Sequence, residues 1–185
     1  SGKDILVMDL ETDSLNVDIA KIKFFGAFSY IDNKFHFLFG TEVQEIKDLL
    51  DRHRILVSFN GKAYDNPILI NNGYEIENKY KIFIDLYEIS AQKGTGDFGH
   101  YNKNKLIQMG VEIKTFTLKN IINTLKLDDA SKGDIDYKIF QKDSWTDDEI
   151  KEIKIYLEQD VILTKKLFEW YESQFQPLKG FLSAK

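Results

Sequence analysis

The spacing of apolar residues along this chain alternates between two periods, and the first of them predicts β-strands. The apolar run Ile5-Leu6-Val7 contains β-branched residues, which is typical of a buried strand. Residues 21–31 alternate and are rich in Phe and Ile, and Asp32-Asn33 is a hairpin turn signal before the next run. The pattern predicts strands at residues 4–10, 21–31, 34–39, 55–59 and 81–86.

Apolar residues at helical spacing follow the third strand and recur to the end of the chain. Thr41 and Gln44 have the spacing of a capping box before the first predicted helix, and Thr146 and Glu149 have it before the last. Thr117 is expected to cap the third helix. The predicted helices cover residues 41–52, 67–72, 117–125 and 146–174, and residues 92–115 are expected to form an irregular loop or a short hairpin.

This order of elements predicts the fold class. Three strands come first as an antiparallel meander, and the later strands alternate with helical crossovers, which favour parallel pairing. We therefore expect an α/β protein with a mixed five- to six-stranded sheet flanked by helices. Residues 1–185 are expected to form a single domain, in which Ser1-Gly2 is typical of a tag remnant.

Composition narrows the class of protein. Apolar residues make up 43% of the chain and charged residues 30%, which is typical of a globular protein, and there is no run of 18 apolar residues. The absence of cysteine excludes disulfides and thiolate metal sites, and it favours a cytoplasmic, intracellular protein. The net charge of -5 argues against a protein that coats nucleic acid, but it allows local binding through metal ions. We expect a monomer.

Two acids at the end of the first strand are the first candidate site residues. Side chains on a strand alternate between its faces, so Asp9 and Glu11 point to the same side. Two adjacent carboxylates repel each other, and a hard divalent cation such as Mg²⁺ or Mn²⁺ is the usual partner that holds them together. The alternative is that both acids face water at the strand end, which is the commoner case for an isolated Asp-x-Glu.

Further acids lie later in the chain. Asp65 follows a strand and a turn, where such folds place chemistry, although a helix N-terminal acid stabilised by the helix dipole has the same position. Tyr156 and Asp160 are four residues apart on the long helix and so share a face. Asp160 interrupts an apolar stripe, which favours a partner for its carboxylate. A half-exposed acid beside a packed tyrosine is the alternative.

The three motifs together resemble those of a known family. Asp-x-Glu at residues 9–11, Asn-x-x-x-Tyr-Asp at residues 60–65 and Tyr-x-x-x-Asp at residues 156–160 resemble, in that order, the exonuclease motifs of the DEDD superfamily. They resemble its tyrosine-containing branch, DEDDy, which includes the proofreading domains of family B DNA polymerases. Asp-Leu at residues 85–86 resembles the predicted stand-alone exonucleases of the group. The resemblance spans residues 4–171 and implies a ribonuclease H-like fold.

The resemblance also implies a chemistry and roles for the acids. It implies a 3′–5′ exonuclease that uses two divalent ions, Mg²⁺ or Mn²⁺, to release nucleoside 5′-monophosphates from single-stranded DNA. Asp9 would bridge both ions, and Asp65 would support the second. Glu11 and Asp160 would complete the site of the attacking water. Tyr156 would orient that water, because a phenol with an ordinary pKa near ~10 is a poor base at neutral pH.

Four further residues are candidates for contact with the substrate. Leu10 and Thr12 lie beside the first two acids, at positions that touch the terminal nucleotide in similar enzymes. Leu10 either wedges against a base or belongs to the core. Asn60 is either a phosphate or sugar ligand or a turn residue, and Tyr64 is a candidate for stacking on a base.

Two other functions remain open. The same site acting on RNA would make the chain a 3′–5′ exoribonuclease, since the 2′-hydroxyl contact that separates the two substrates is not readable from sequence. The second alternative is a catalytically inactive ribonuclease H-like module that binds nucleic acid. The presence of all four acids and the tyrosine favours an enzyme. A polymerase or helicase domain outside this sequence is a candidate partner.

Overall fold

The computed structural model describes residues 3–91, 104–128 and 133–174, and these form one five-stranded sheet with helices on its faces. The strands are β1 (Ile5–Thr12), β2 (Ile22–Ser29), β3 (Lys34–Phe39), β4 (Ile55–Ser58) and β5 (Ile82–Asp85), in the spatial order β3-β2-β1-β4-β5. β2 pairs antiparallel with β1 and β3, whereas β4 is parallel to β1 and β5. The predicted mixed α/β sheet, a meander followed by parallel strands, is confirmed.

The helices begin and end close to the predicted positions. They are α1 (Val43–Arg52), α2 (Asp65–Asn71), α3 (Leu86–Ala91), α4 (Leu118–Thr124) and α5 (Asp147–Gln174), with a 3-10 helix at Tyr137–Gln141. The capping box of α5 is confirmed, because the Thr146 N–H donates to Glu149 Oε1 at 3.0 Å and the Glu149 N–H donates to Thr146 Oγ1 at 3.2 Å. No helix in the described ranges has the length and apolar composition that crossing a membrane requires.

The capping box predicted at Thr41 is wrong. α1 begins at Val43, and its N-cap residue is Glu42, whose side chain makes no hydrogen bond to the first turn of the helix. The Glu42 carboxylate instead accepts the Phe39 N–H at 2.8 Å. The acid closes the turn after β3, because the strand end leaves a backbone donor that needs an acceptor.

Three short helical segments are absent from the sequence-based prediction. α3 follows β5 with no loop between them, and the 3-10 helix lies in a stretch without periodic signal. Residues 104–108 are helical, although an irregular loop is predicted over residues 92–115; the part of that prediction over residues 92–103 lies outside the described residues. Segments of one or two turns bury too few apolar residues to show a helical period.

The two faces of β1 build two layers of the core. Ile5 and Val7 pack in the layer that contains residues of α4 and α5, whereas the alternate side chains, from Leu6 to Leu10, pack with α1 and α2. Asp9 and Glu11 continue the first face toward the carboxyl end of the strand. Both acids therefore lie on the side of the sheet that α5 covers.

Candidate active site

Three carboxylates meet where the end of β1 faces α5. Asp9 is half-buried, and Glu11 and Asp160 are buried. One carboxylate oxygen of each acid lies within 4.8 Å of those of the other two. β1 thus supplies two acids from one face, as the alternation predicts, and α5 supplies the third. We refer to Asp9, Glu11 and Asp160 as the strand–helix cluster.

A glycine allows α5 to approach the sheet at this point. Gly26 of β2 pairs with Asp9, and a Cβ at Gly26 would lie 2.5 Å from Leu157 Cγ. That distance is far inside van der Waals contact, so any side chain at this position would displace Leu157 or the helix. Because Asp160 follows Leu157 by nearly one turn, the glycine helps to set the distance between Asp160 and β1.

Tyr156 lies one turn before Asp160 and shares its helix face. Its hydroxyl is 3.0 Å from the hydroxyl of Tyr137, which belongs to the 3-10 helix. Burial raises the pKa of Tyr156 well above its ordinary value, and the hydrogen bond with Tyr137 and the charge of Asp160 raise it further. The phenol therefore stays protonated and can donate a hydrogen bond, but it is not a base at neutral pH.

The fourth acid, Asp65, lies where the chain turns from β4 into α2. Asn60 has a left-handed φ of 64°, and a Cβ at Gly61 would lie 1.9 Å from Ser58 Oγ. Asparagine tolerates the left-handed region, and only glycine fits the close approach to Ser58. The predicted Asn60-Gly61 turn thus forms, and it leads to Asp65 as the first residue of α2.

Asp65 is buried beside a second acid, Asp85. Asp65 Oδ2 has no hydrogen-bond partner among the described residues. Burial, and after it the negative charge of Asp85, raises the pKa of Asp65 from its ordinary 3.8 to about 7. A buried carboxylate oxygen without a donor is costly in the free protein and is available to a cation. We refer to Asp65 and Asp85 as the corner pair.

Asp85 differs from Asp65 because it is surrounded by backbone donors. It accepts the N–H groups of Asn60 at 2.7 Å, Lys62 at 3.3 Å, Tyr87 at 3.0 Å and Glu88 at 3.4 Å. The first two donors belong to the turn after β4, and the other two belong to the first turn of α3. Its sequence signal is only the resemblance noted for residues 85–86, because a contact across 25 positions leaves no local pattern.

A cleft of about 420 Å³ lies beside the strand–helix cluster. Its walls come from β1, the turn after β4, the start of α3, the segment leading into α4, and α5: Met8, Asp9, Phe59, Asn60, Tyr64, Tyr87, Phe116, Thr117, Leu118, Asp160 and Thr164. Aromatic side chains thus lie next to two carboxylates in one concave site. This combination suits a ligand that has flat rings and binds through metal ions.

The predicted substrate contacts separate into two groups. Asn60 and Tyr64 line the cleft, and Tyr64 is 46% exposed. Leu10 is only 8% exposed and packs in the layer that faces α1 and α2, so the core alternative for this residue is the one that the structure supports. Thr12 Oγ1 donates to the Ser14 carbonyl at 2.9 Å and steadies the turn after β1.

The ligand atoms of the site fit a hard divalent cation. The strand–helix cluster and Asp65 offer only carboxylate oxygens, which are the ligands that Mg²⁺ and Mn²⁺ prefer. Three carboxylates within 4.8 Å of one another repel, and a cation between them removes that repulsion. Asp65 does not belong to this set of three among the described residues, but its Oδ2 is available for a second ion.

Comparison with known proteins identifies the superfamily. The RNase_H_2 family, described as RNase_H superfamily, matches residues 6–172. This chain belongs to the RNase H superfamily. Membership supports a hydrolytic nuclease that acts on nucleic acid with divalent metal ions, and the buried acids of the strand–helix cluster are residues that could hold a metal ion.

Solved structures agree on the fold. The chain is similar to the family B DNA polymerase from the hyperthermophilic archaeon Pyrobaculum calidifontis, with a TM-score of 0.65 and 14% sequence identity. The similarity covers 98% of this chain and 27% of the polymerase, so the chain spans about a quarter of that protein. The family match confirms the expected ribonuclease H-like fold, and this similarity agrees with it. No curated protein matches the chain.

Proposed function

We propose that this chain is a metal-dependent 3′–5′ exonuclease that acts on single-stranded DNA. The observation that carries the proposal is the convergence of Asp9, Glu11 and Asp160 within 4.8 Å, with Tyr156 one helical turn before Asp160. Two divalent ions, Mg²⁺ or Mn²⁺, would stabilise the attacking and leaving oxygens of an in-line displacement. Water forms the new P–O bond, the P–O3′ bond breaks, and a nucleoside 5′-monophosphate leaves.

The four acids divide the binding of the ions between them. Asp9 would hold both ions. Glu11 and Asp160 would complete the position next to the attacking water. Asp65 would support the second ion through its Oδ2 atom, which has no hydrogen-bond partner among the described residues.

Tyr156 orients the attacking water in this proposal. Its raised pKa keeps the hydroxyl protonated, so it positions the water by hydrogen bonding and does not accept the proton. Tyr137, whose hydroxyl is 3.0 Å away, fixes the direction of the Tyr156 hydroxyl. The Tyr-x-x-x-Asp motif contains Tyr156 but not Tyr137, so the hydrogen bond between the two hydroxyls is a feature that the motif does not predict.

The aromatic wall of the cleft supports a single-stranded substrate. Phe59, Tyr64, Tyr87 and Phe116 line the same cleft as Asp9. Stacking of a base on an aromatic side chain contributes about 1–3 kcal/mol and tolerates any base sequence, as degradation from an end requires. With a net charge of -5, affinity for the strand comes from these local contacts and bound cations.

DNA is the proposed substrate, because the solved structure of similar fold is a DNA polymerase. We further propose that the chain acts as a monomer. A polymerase or helicase domain outside this sequence would deliver the 3′ end.

Degradation of labelled oligonucleotides tests the proposal. Single-stranded DNA and RNA, each labelled at the 5′ or the 3′ end, are incubated with Mg²⁺ or Mn²⁺, with a chelator control and an Asp9→Ala variant. The expected result is stepwise shortening of 5′-labelled DNA, immediate mononucleotide release from 3′-labelled DNA, and neither with chelator or Asp9→Ala. Preferential shortening of RNA would make the chain an exoribonuclease. Binding without cleavage in either metal by the folded protein would contradict the enzyme and favour a binding module.

A further inference from the structure

Asp85 occupies a position that joins two separate segments of the site. It ends β5, is 5% exposed, and pairs with Ser58 at the end of β4. The Tyr87 and Glu88 N–H groups donate to its Oδ1, which is the bonding pattern of a helix N-cap. An N-cap needs one oxygen, and a serine would serve equally well. The contacts of Asp85 with the turn after β4 are therefore beyond what capping α3 requires.

Those other contacts hold the turn that carries Asp65. The Asn60 N–H donates to Asp85 Oδ1 at 2.7 Å, and the Lys62 N–H donates to Oδ2 at 3.3 Å. The turn then continues its own hydrogen bonds, because the Tyr64 N–H donates to the Asn60 carbonyl at 3.2 Å. The Asn66 N–H donates to the Gly61 carbonyl at 2.7 Å, so the backbone on both sides of Asp65 is tied to this turn.

The turn depends on an external acceptor. Asn60 has a φ of 64°, a region that side chains rarely adopt, and Gly61 is pressed against Ser58. Asparagine tolerates this region better than most residues, but the conformation still depends on surroundings that hold it in place. Among the described residues, Asp85 supplies that hold, since it is the acceptor for the N–H groups of Asn60 and Lys62.

The two acids of the corner pair thus have complementary environments. Both oxygens of Asp85 accept backbone donors, whereas Oδ2 of Asp65 has no hydrogen-bond partner among the described residues. An oxygen engaged by N–H groups is a poor metal ligand, and a buried oxygen without a donor is a good one. The arrangement favours Asp65 as the metal ligand and Asp85 as the residue that holds the backbone next to Asp65.

We propose that Asp85 is a positioning residue, whose buried carboxylate holds the 60–62 turn against β5 and thereby fixes Asp65 at the start of α2 for metal binding. The inference rests on the proposed function for its catalytic consequence. Its structural consequence, the order of the turn, does not depend on any activity. Groups that orient a metal ligand typically change metal affinity or activity about 10- to 100-fold when they are removed.

The test uses two substitutions that separate capping from positioning. Asp85→Ser keeps a good N-cap for α3 but cannot reach both turn donors, and Asp85→Asn keeps the size of the side chain while replacing one acceptor with an N–H₂ donor. Glu149→Gln, in the capping box of α5, is the matched control for a weakened helix start. The readouts are amide hydrogen exchange at residues 60–64, Mn²⁺ binding followed by electron paramagnetic resonance, and exonuclease kinetics.

We expect faster amide exchange at residues 60–64 and about 10- to 100-fold weaker binding of one Mn²⁺ ion in Asp85→Ser. The kcat should fall about as much and recover in part at high Mn²⁺, while KM for the oligonucleotide stays unchanged. In an Asp65→Ala background, Asp85→Ser should cause no further loss of kcat, since its effect passes through Asp65. Glu149→Gln should change none of these readouts.

Unchanged amide exchange and Mn²⁺ binding in folded Asp85→Ser would overturn the proposal. An equal further loss of kcat in the Asp65→Ala background would overturn it too, because Asp85 would then act by another route. If the wild-type protein cleaves nothing, the proposed function fails, but the exchange and Mn²⁺ measurements still decide whether Asp85 positions Asp65. If Asp85→Ser does not fold, Asp85→Asn supplies the same comparison.

Discussion

The two acidic regions of the site are built in opposite ways. In the strand–helix cluster, a strand and a 28-residue helix bring three carboxylates within 4.8 Å, and the rigid elements hold them against their own repulsion. In the corner pair, a nine-residue stretch from Ser58 to Asn66 contains a tight turn, and the Asp85 carboxylate accepts two N–H groups of that turn, which leads to Asp65. Side chains in the middle of a strand or a long helix are held more precisely than those next to a turn, so the position of Asp65 depends on the hydrogen bonds of the turn before it.

Removing a charge from the strand–helix cluster should have the largest effect. Asp9→Asn keeps the shape of the side chain but removes its negative charge and one of its two oxygen ligands. The loss of several kcal/mol of charge stabilisation predicts a fall in kcat of about 10³-fold or more, with little change in the far-ultraviolet circular dichroism spectrum. Activity near the wild-type level in a metal titration of Asp9→Asn would show that the cluster is not the metal site.

The raised pKa of Asp65, in the corner pair, should make the stability of the protein depend on pH. The native pKa of Asp65, about 7, lies above its ordinary 3.8, so the folded state binds the proton more tightly. Its stabilising contribution is complete below about pH 4 and is lost as the pH rises through about 7. Asp65→Asn cannot ionise, so its Tm should exceed that of the metal-free wild type by a margin that grows over this range.

Divalent metal sharpens the same measurement. Mg²⁺ or Mn²⁺ at pH 8 should raise the Tm of the wild type more than that of Asp65→Asn, because the cation compensates the ionised carboxylate. Glu149→Gln alters a half-buried capping acid whose pKa the hydrogen bond with Lys142 lowers, so its Tm difference from the wild type should stay constant above about pH 5. A constant Tm difference between Asp65→Asn and the wild type from pH 4 to pH 8 would contradict the raised pKa.

Packing between β2 and α5 should control the distance between Asp160 and β1. Gly26→Ala places a Cβ 2.5 Å from Leu157 Cγ, and overpacking of this kind costs about 1–3 kcal/mol of unfolding free energy. Activity should fall as well, since Asp160 moves with the helix. Gly133→Ala, where a Cβ meets nothing within 4 Å, is the matched control.

A second substitution tests whether Leu157 is the side chain that a Cβ at Gly26 would displace. Leu157→Ala removes the side chain that the new Cβ would meet, so Gly26→Ala should cost less free energy of unfolding in the Leu157→Ala background than in the wild type. Both quantities come from urea denaturation. Strict additivity of the two substitutions would mean that the contact between β2 and α5 does not set the position of the helix.

The smallest effect on activity is expected from removing the hydrogen bond between Tyr137 and Tyr156. Tyr137→Phe removes one hydroxyl and leaves the ring, and loss of a hydrogen bond worth about 0.5–1.5 kcal/mol predicts a fall in kcat of about 2- to 10-fold. KM and Tm should stay near their wild-type values. Tyr80→Phe, an exposed tyrosine in the segment before β5, is the control. An unchanged kcat in Tyr137→Phe would show that Tyr156 needs no partner to orient water.

Much of the fold could be predicted from local patterns. The period of two in β1 predicts that Asp9 and Glu11 share a face, and the period near 3.6 in α5 predicts that Tyr156 and Asp160 share one. The capping box at the start of α5 was also predictable, because its hydrogen bonds join residues three positions apart. The Thr41 prediction failed because α1 is capped at Glu42, whose carboxylate accepts the Phe39 N–H, a donor that lies outside the four residues of the motif.

The sequence by itself therefore determined the strands, the long helix, the tight turn at Asn60-Gly61 and the face on which each acid lies, since these follow from residue type and spacing along one element. Tertiary structure alone decided which faces meet. Leu157 packs against Gly26, the Tyr137 hydroxyl bonds that of Tyr156, and Asp85 accepts a backbone N–H from a turn 25 positions earlier. Contacts between distant segments depend on how whole elements pack, and local periodicity carries no information about that packing.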